Sequence, residues 1–237
     1  MGQNLNLKAW LVIGTIVTTT VFQSQTILAY TLDVNNPLTT AEIKPTNDLD
    51  PYQQGLSAVA AGNLTQAIVN FDRAIELDPQ SIQAYIERGN TKDALRDEPG
   101  ALADFSKAIA LDPKSVSAYY NRATVLRKRK KNQEAVADYN ITIDLDPQYA
   151  AAYLNRGNNL DDLGDTPGAL ADYDRAIKIK PNYALAYLNR GITHQRAGNR
   201  TKAIADLDRA AQLFKADGNV DKYDHAIRMI RNIQSEI

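Results

Sequence analysis

The chain of 237 residues has no cysteine, two histidines, two methionines and a single tryptophan. Without cysteine there is no thiol nucleophile, no disulfide framework and no thiolate metal ligand; the absence fits export without deciding it. His194 and His225 show no metal-ligand spacing, and neither a glycine-rich phosphate loop nor a Gly-x-Ser-x-Gly elbow occurs. The sequence therefore offers no catalytic residue, no metal site and no cofactor site, and the chain is expected not to be an enzyme. Paired acids such as Asp161 and Asp162 are commonplace on helix surfaces and need a pocket and a perturbed pKa before they suggest catalysis. Neither sign of charge is in excess, with 27 Lys and Arg against 28 Asp and Glu. That balance gives no electrostatic ground for nucleic acid or an acidic membrane surface as a general partner.

What the chain has instead is a period. Pro79, Pro113, Pro147 and Pro181 each stand 34 residues after the last, and Pro45 falls on the same grid. Setting that proline at position 32 gives repeats at 48–81, 82–115, 116–149, 150–183 and 184–217. Position 8 then reads Gly55, Gly89, Ala123, Gly157 and Gly191, and position 20 is Ala throughout. Position 24 reads Phe71, Phe105, Tyr139, Tyr173 and Leu207. Small residues let two helices approach closely, and the large group at position 24 fills the space between pairs.

Repeat 4 shows the local logic. Tyr153, Leu154, Gly157, Leu160 and Leu163 recur at helical spacing, Gly164 to Pro167 interrupt it, and Ala169, Leu170, Tyr173, Ala176 and Ile177 resume it. Two amphipathic helices and a turn are expected in each repeat. Gly62, Gly164 and Gly198 sit where a residue of positive φ ends the first helix. Asn63, Asp97, Asp165 and Asn199 follow as N-caps of the second helix, with Pro99 and Pro167 in its first turn. Arg96 and Lys130 replace the turn glycine in repeats 2 and 3, where a less tight turn is expected.

Period and columns together resemble the tetratricopeptide repeat family over residues 48–217. The resemblance implies an all-α, right-handed α-solenoid of five helix-turn-helix repeats, stacked as one elongated unit. It also implies a protein or peptide partner, held in the groove formed by the first helices.

One pair of columns goes beyond the usual family pattern. Position 7 carries Arg88, Arg122, Arg156 and Arg190, and position 23 carries Asp104, Asp138, Asp172 and Asp206, but repeat 1 has Gln54 and Asn70. Both columns lose charge in the same repeat, so each Arg is expected to pair with the Asp of its own repeat. Two separately solvated columns are the alternative.

In the family, positions 2, 5, 6, 9, 12 and 13 face the groove. Position 6 here offers Asn121, Asn155 and Asn189, and position 9 adds Asn90 and Asn158. An amide side chain both donates and accepts, so it can hold a peptide main chain whatever side chains that peptide carries. The column is similar to the asparagine ladder of O-GlcNAc transferases, although Gln53 and Glu87 depart from it. The alternative is that these residues are solvated or bond neighbouring helices. Position 5, with Tyr120, Leu154 and Leu188, lacks the Lys of the carboxylate clamp that captures chaperone C-termini, and suggests apolar lining. Charge comes in blocks, with Asp93, then Arg127 and Lys128, then Asp161 and Asp162, then Arg196, an order that would select a complementary partner. The basic run from Arg127 to Lys131 is short and lacks interleaved aromatics, so it reads as a solvated turn or an acidic-partner contact, not a nucleic-acid site.

The ends differ from the repeats. Lys8, an apolar run from Ala9 to Phe22 and a small residue at Ala29 read as an export signal over residues 1–29, cut after Ala29. The 24 uncharged residues from Ala9 to Leu32 are also long enough to serve as an uncleaved anchor, the only membrane contact expected. Either reading puts the repeats outside the cytoplasm, and similarity to bacterial and cyanobacterial tetratricopeptide proteins implies a periplasm or thylakoid lumen. Residues 30–47, rich in Asn, Pro and Thr, read as a flexible linker. Residues 218–237 read as a capping helix, with a truncated sixth repeat that docks a partner as the alternative. The partner's identity and the oligomeric state are open at this level.

Overall fold

The computed structural model describes residues 50–235. The export signal or anchor, the linker and the first two residues of repeat 1 lie outside the described residues. Described residues form eleven helices: α1 (Pro51–Ala60), α2 (Leu64–Leu77), α3 (Ile82–Ala94), α4 (Glu98–Leu111), α5 (Val116–Lys128), α6 (Asn132–Leu145), α7 (Ala150–Asp162), α8 (Thr166–Ile179), α9 (Ala184–Arg196), α10 (Arg200–Ala216) and α11 (Val220–Ser235). The first ten pair off as the five repeats, and no strand occurs among the described residues.

Each boundary has a local cause. The side chains of Asn63, Asp97 and Asp165 accept hydrogen bonds from the backbone N–H groups of Gln66, Gly100 and Gly168, closing the first turns of α2, α4 and α8. Asn199 holds the same place before α10 without a side-chain bond. At the other end, Asp78, Asp112 and Asp146 accept from the N–H two residues on, at 3.0, 2.9 and 2.9 Å. The Asp of each Leu-Asp-Pro triplet therefore folds an Asx-turn over the proline that stops the helix.

The turn between paired helices is uniform. Gly62, Gly164 and Gly198 have φ of 75°, 85° and 77°, and Arg96 and Lys130 have φ of 67° and 60°. The expectation of looser turns in repeats 2 and 3 is corrected here. Asp97 and Lys131 donate their N–H groups back to Lys92 and Leu126 at 2.9 and 3.0 Å, as Asn63 does to Ala58 at 2.9 Å. Those chain reversals are specified by the helices on both sides, so the non-glycine residues adopt the strained conformation rather than relax it.

Paired helices meet where small residues face position 24. A Cβ added at Gly157 would lie 2.8 Å from the Tyr173 ring, and one at Gly89 would lie 2.7 Å from Phe105. The buried rings and their alanine neighbours join into apolar clusters that cross from repeat to repeat. In α11, Tyr223, Ala226, Ile227, Ile230 and Ile233 pack on Leu207, Ala210, Ala211 and Phe214, while Asp221, Lys222, Asp224, His225, Arg228 and Arg231 lie on its other faces. Ala226 and Ile233 are buried there, Tyr223, Ile227 and Ile230 are partly covered, and the polar side faces water, an arrangement that suits a terminal cap.

The arginine column locks the pairs. Nε and Nη2 of Arg88, Arg122, Arg156 and Arg190 donate side-on to both carboxylate oxygens of Asp104, Asp138, Asp172 and Asp206, at 2.6 to 2.9 Å. These carboxylates are buried, so the second helix is tied to the first by a two-point charged bond. The third nitrogen, Nη1, reaches the preceding repeat and donates to Asp72, Ser106, Asn140 or Asp174. A tyrosine ring from position 4, Tyr85, Tyr119, Tyr153 or Tyr187, lies 5.4 to 5.7 Å from each guanidinium carbon. One side chain thus holds three helices together.

Candidate binding face

Successive first helices α1, α3, α5, α7 and α9 touch one another, while the second helices are spread apart. A stack whose first helices lie closer together curves toward them, so they form its inner face. Positions 6, 9, 12 and 13 lie along that face and are built into a network between repeats.

At the junction of repeats 2 and 3, Asn121 Nδ2 donates to Asn90 Oδ1 at 2.9 Å, and Lys128 Nζ donates to Asp93 at 2.5 Å. The junction of repeats 4 and 5 uses the same four positions. Asn189 Nδ2 donates to Asn158 Oδ1 at 2.7 Å, and Arg196 pairs with Asp161. There the Tyr173 hydroxyl also donates to Asn158 at 3.0 Å, and Thr193 to Asp161 at 3.0 Å. Between repeats 3 and 4 the pattern changes. Asn155 Nδ2 donates to the Tyr120 hydroxyl at 3.0 Å, and positions 12 and 13 carry Arg127 and Asp162 with their signs reversed. Arg127 Nε is buried without a hydrogen-bond partner. It lines a cavity of about 250 Å³ with Asn158, Asp161, Asp162, Tyr173, Asn189 and Ile192.

Two expectations are revised by this geometry. Lys128 and Arg196 are committed to Asp93 and Asp161 across their junctions, so most of the charge blocks neutralise one another within the chain. Even the basic run is partly matched, with Arg129 3.9 Å from Glu98 and Lys131 2.9 Å from Glu134. Leu154 and Leu188 are 4% and 7% exposed and belong to the core instead of lining the groove. Position 5 is three residues from the close-packed position 8, so it shares the inward face of its helix. Tyr120 is the member of that set that remains partly exposed.

A family model described as TPR repeat matches residues 55–92 and 157–198, and another described as tetratricopeptide repeat matches residues 105–137. Those three stretches are similar to tetratricopeptide repeats. Among solved structures, MamA aligns with a TM-score of 0.65 at 24% identity, covering 69% of this chain and 96% of that one. YrrB, described as a TPR protein with an unusual peptide-binding site, aligns with a TM-score of 0.61 at 24% identity, covering 75% and 90%. TTC0263, a thermophilic TPR protein of Thermus thermophilus, aligns with a TM-score of 0.60 at 21% identity, covering 75% and 97%. Identities this low speak for the fold alone. Curated proteins offer no match to this chain.

Electrostatics in these helical repeats follow burial and pairing. Hydrogen bonds to Asp138, Asp172 and Asp206 raise the pKa values of Arg122, Arg156 and Arg190 and outweigh burial, which opposes them. For Arg88 burial is the larger single influence, and the bonds to Asp104 and Asp72 together overcome it. Burial pushes Tyr139 and Tyr173 up to about 12, and it lowers His194.

Sequence reasoning missed the tyrosines flanking the inner face. Tyr149 and Tyr183 stand before α7 and α9 as uncapped N-terminal residues, where Ser81 caps α3. Tyr149 packs on Tyr120 with ring centroids 4.9 Å apart. The replacement of Ser81 and Ser115 by Tyr149 and Tyr183 at one repeat position was the available signal.

Proposed function

We propose that this chain is a non-catalytic interaction module that holds an extended segment of a partner protein along the inner face of its repeats. The observation that carries the reading is a division between two sets of polar groups. The Arg–Asp clamps are closed on themselves between helices, whereas Asn121, Asn155 and Asn189 each make a single hydrogen bond and stay partly exposed. An amide side chain can make four such bonds, so each retains capacity for a passing main chain. Tetratricopeptide proteins generally mediate protein–protein contacts, which agrees with this use of the face.

A benzophenone amino acid placed at Ala94 or Ser117, both exposed on the inner side, tests it. Under illumination in the native fraction these variants are expected to capture a partner that variants at Ala103 and Ala137, exposed on the outer helices, do not. Capture from the outer positions alone would overturn the reading.

We further place the module outside the cytoplasm as an assembly or scaffold factor, on the strength of the basic, apolar and small-residue order of residues 1–29. A mature chain beginning at Tyr30 in the extracytoplasmic fraction is the expected result. The second reading is a membrane-tethered adaptor that recruits an enzyme, favoured by the unbroken uncharged stretch from Ala9 to Leu32. Full-length mass in the membrane fraction would select it. No helix among the described residues is long and apolar enough to cross a membrane.

A further inference from the structure

The junctions along the inner face alternate. Repeats 2 and 4 present Asn at position 9 and Asp at position 12; repeats 3 and 5 answer with Asn at position 6 and a cation at position 13. The two junctions built this way are closed by an amide–amide bond and an ion pair. Between repeats 3 and 4 neither closure forms. Arg127 has a buried Nε with no partner, Asp162 is exposed, and the pair lines one cavity without meeting. A buried donor left unsatisfied costs free energy that a bound acceptor can recover.

We propose that the junction of repeats 3 and 4 is where this face discriminates among partners, and that it takes an extended peptide carrying a Lys or Arg. The inference rests on the groove reading above and specifies its chemistry. Asp162 pairs with the basic side chain, and Arg127 donates to a main-chain carbonyl. An acidic side chain fits poorly, because Asp161 is already paired with Arg196, the exposed charge left at the cavity is Asp162, and the unsatisfied Arg127 Nε is buried.

At the opposite end of the same helix face, Tyr120 and Tyr149 form a partly exposed aromatic shelf. Tyr120 and Arg127 are two turns apart on α5, about 10 Å at 1.5 Å per residue. An extended chain covers that distance in about three residues. The peptide is therefore one with an apolar residue three or four positions from its Lys or Arg.

Panning a random twelve-residue phage library on the immobilised full chain tests the proposal. Enriched sequences are expected to carry Lys or Arg three or four residues from Leu, Ile, Phe or Pro. Binding of the best synthetic peptide should weaken about tenfold or more in Asp162→Lys and be unchanged in Asp224→Lys on the cap helix. Panning on Asp162→Lys should shift the enriched residue to Asp or Glu. Circular dichroism melts confirm that each variant is folded. Acid-rich or uncharged selections, affinity indifferent to Asp162→Lys, or no enrichment would each overturn the proposal. Peptides lost by an Asn121→Ala, Asn155→Ala, Asn189→Ala triple variant but indifferent to Asp162→Lys would leave the groove reading standing and remove this one. Peptides indifferent to both variants would remove both.

Discussion

The four Arg–Asp clamps concentrate several jobs in single side chains. Asp172 has a side-chain exposure of 7% and Arg156 of 21%, so removing the carboxylate strands a guanidinium only partly reached by water. Asp172→Ala is expected to destabilise the chain by about 2–3 kcal/mol, below the range for fully buried pairs because Arg156 is partly solvated. Urea titrations of the wild type, Asp172→Ala, the single variants Arg156→Met and Asp172→Leu, and the double variant combining those last two check this. The double variant should recover part of the loss, since no charge is left buried alone, and full additivity would deny the coupling. Packing makes a second demand at this scale. Gly157→Ala drives a methyl toward the Tyr173 ring and should cost about 1–3 kcal/mol, although repeat 3 carries Ala123 at the equivalent position against Tyr139. A ring that shifted freely to admit the methyl would leave the melting temperature unchanged.

Helices and turns show which features were legible in the sequence. Arg96 and Lys130 hold φ of 67° and 60°, so Arg96→Gly and Lys130→Gly should each raise stability, by up to about 1 kcal/mol. Differential scanning calorimetry would show the gain as a higher melting temperature; a fall would mean that these side chains contribute more than their strain removes. The helices, their order and their close-packed positions could be read from the chain because a fixed period repeats each local signal several times. Pairing within a repeat was legible for a related reason: Gln54 and Asn70 drop their charges together. The reach of each arginine into the preceding repeat was not, because its acceptors, Asp72, Ser106, Asn140 and Asp174, vary in residue type and charge from repeat to repeat. Nor was the mutual neutralisation of Lys128 with Asp93, whose 35-residue separation becomes a contact only once the first helices are stacked.

Across the whole molecule, stability depends on covering the last repeat and on a few buried protons. Deleting residues 218–237 uncovers Leu207, Ala211 and Phe214, and the shortened chain should melt earlier and self-associate in size-exclusion chromatography. Burial holds Tyr139 and Tyr173 up to about 12 against an ordinary 10. The folded chain thus keeps two protons that the unfolded chain releases, and their contribution is complete below pH 10 and lost as pH rises toward 12. His194, held below 6.5, acts in the opposite sense. The unfolded imidazole takes up its proton first as pH falls through 6.5, so stability declines from there toward the lower folded value. Melting curves across pH should show both limbs, and Tyr139→Phe should flatten the alkaline one. The alternation of closed and open junctions has its own consequence for valency. A second copy of residues 116–183 inserted after residue 183 would set repeat 4 against a copy of repeat 3, whose Asn121 and Lys128 meet Asn158 and Asp161 to close that boundary. The lengthened chain would then carry two open junctions, 68 residues apart in sequence. One rigid protein would grip two segments of the same partner, and its residence time would rise through effective concentration without any new kind of contact.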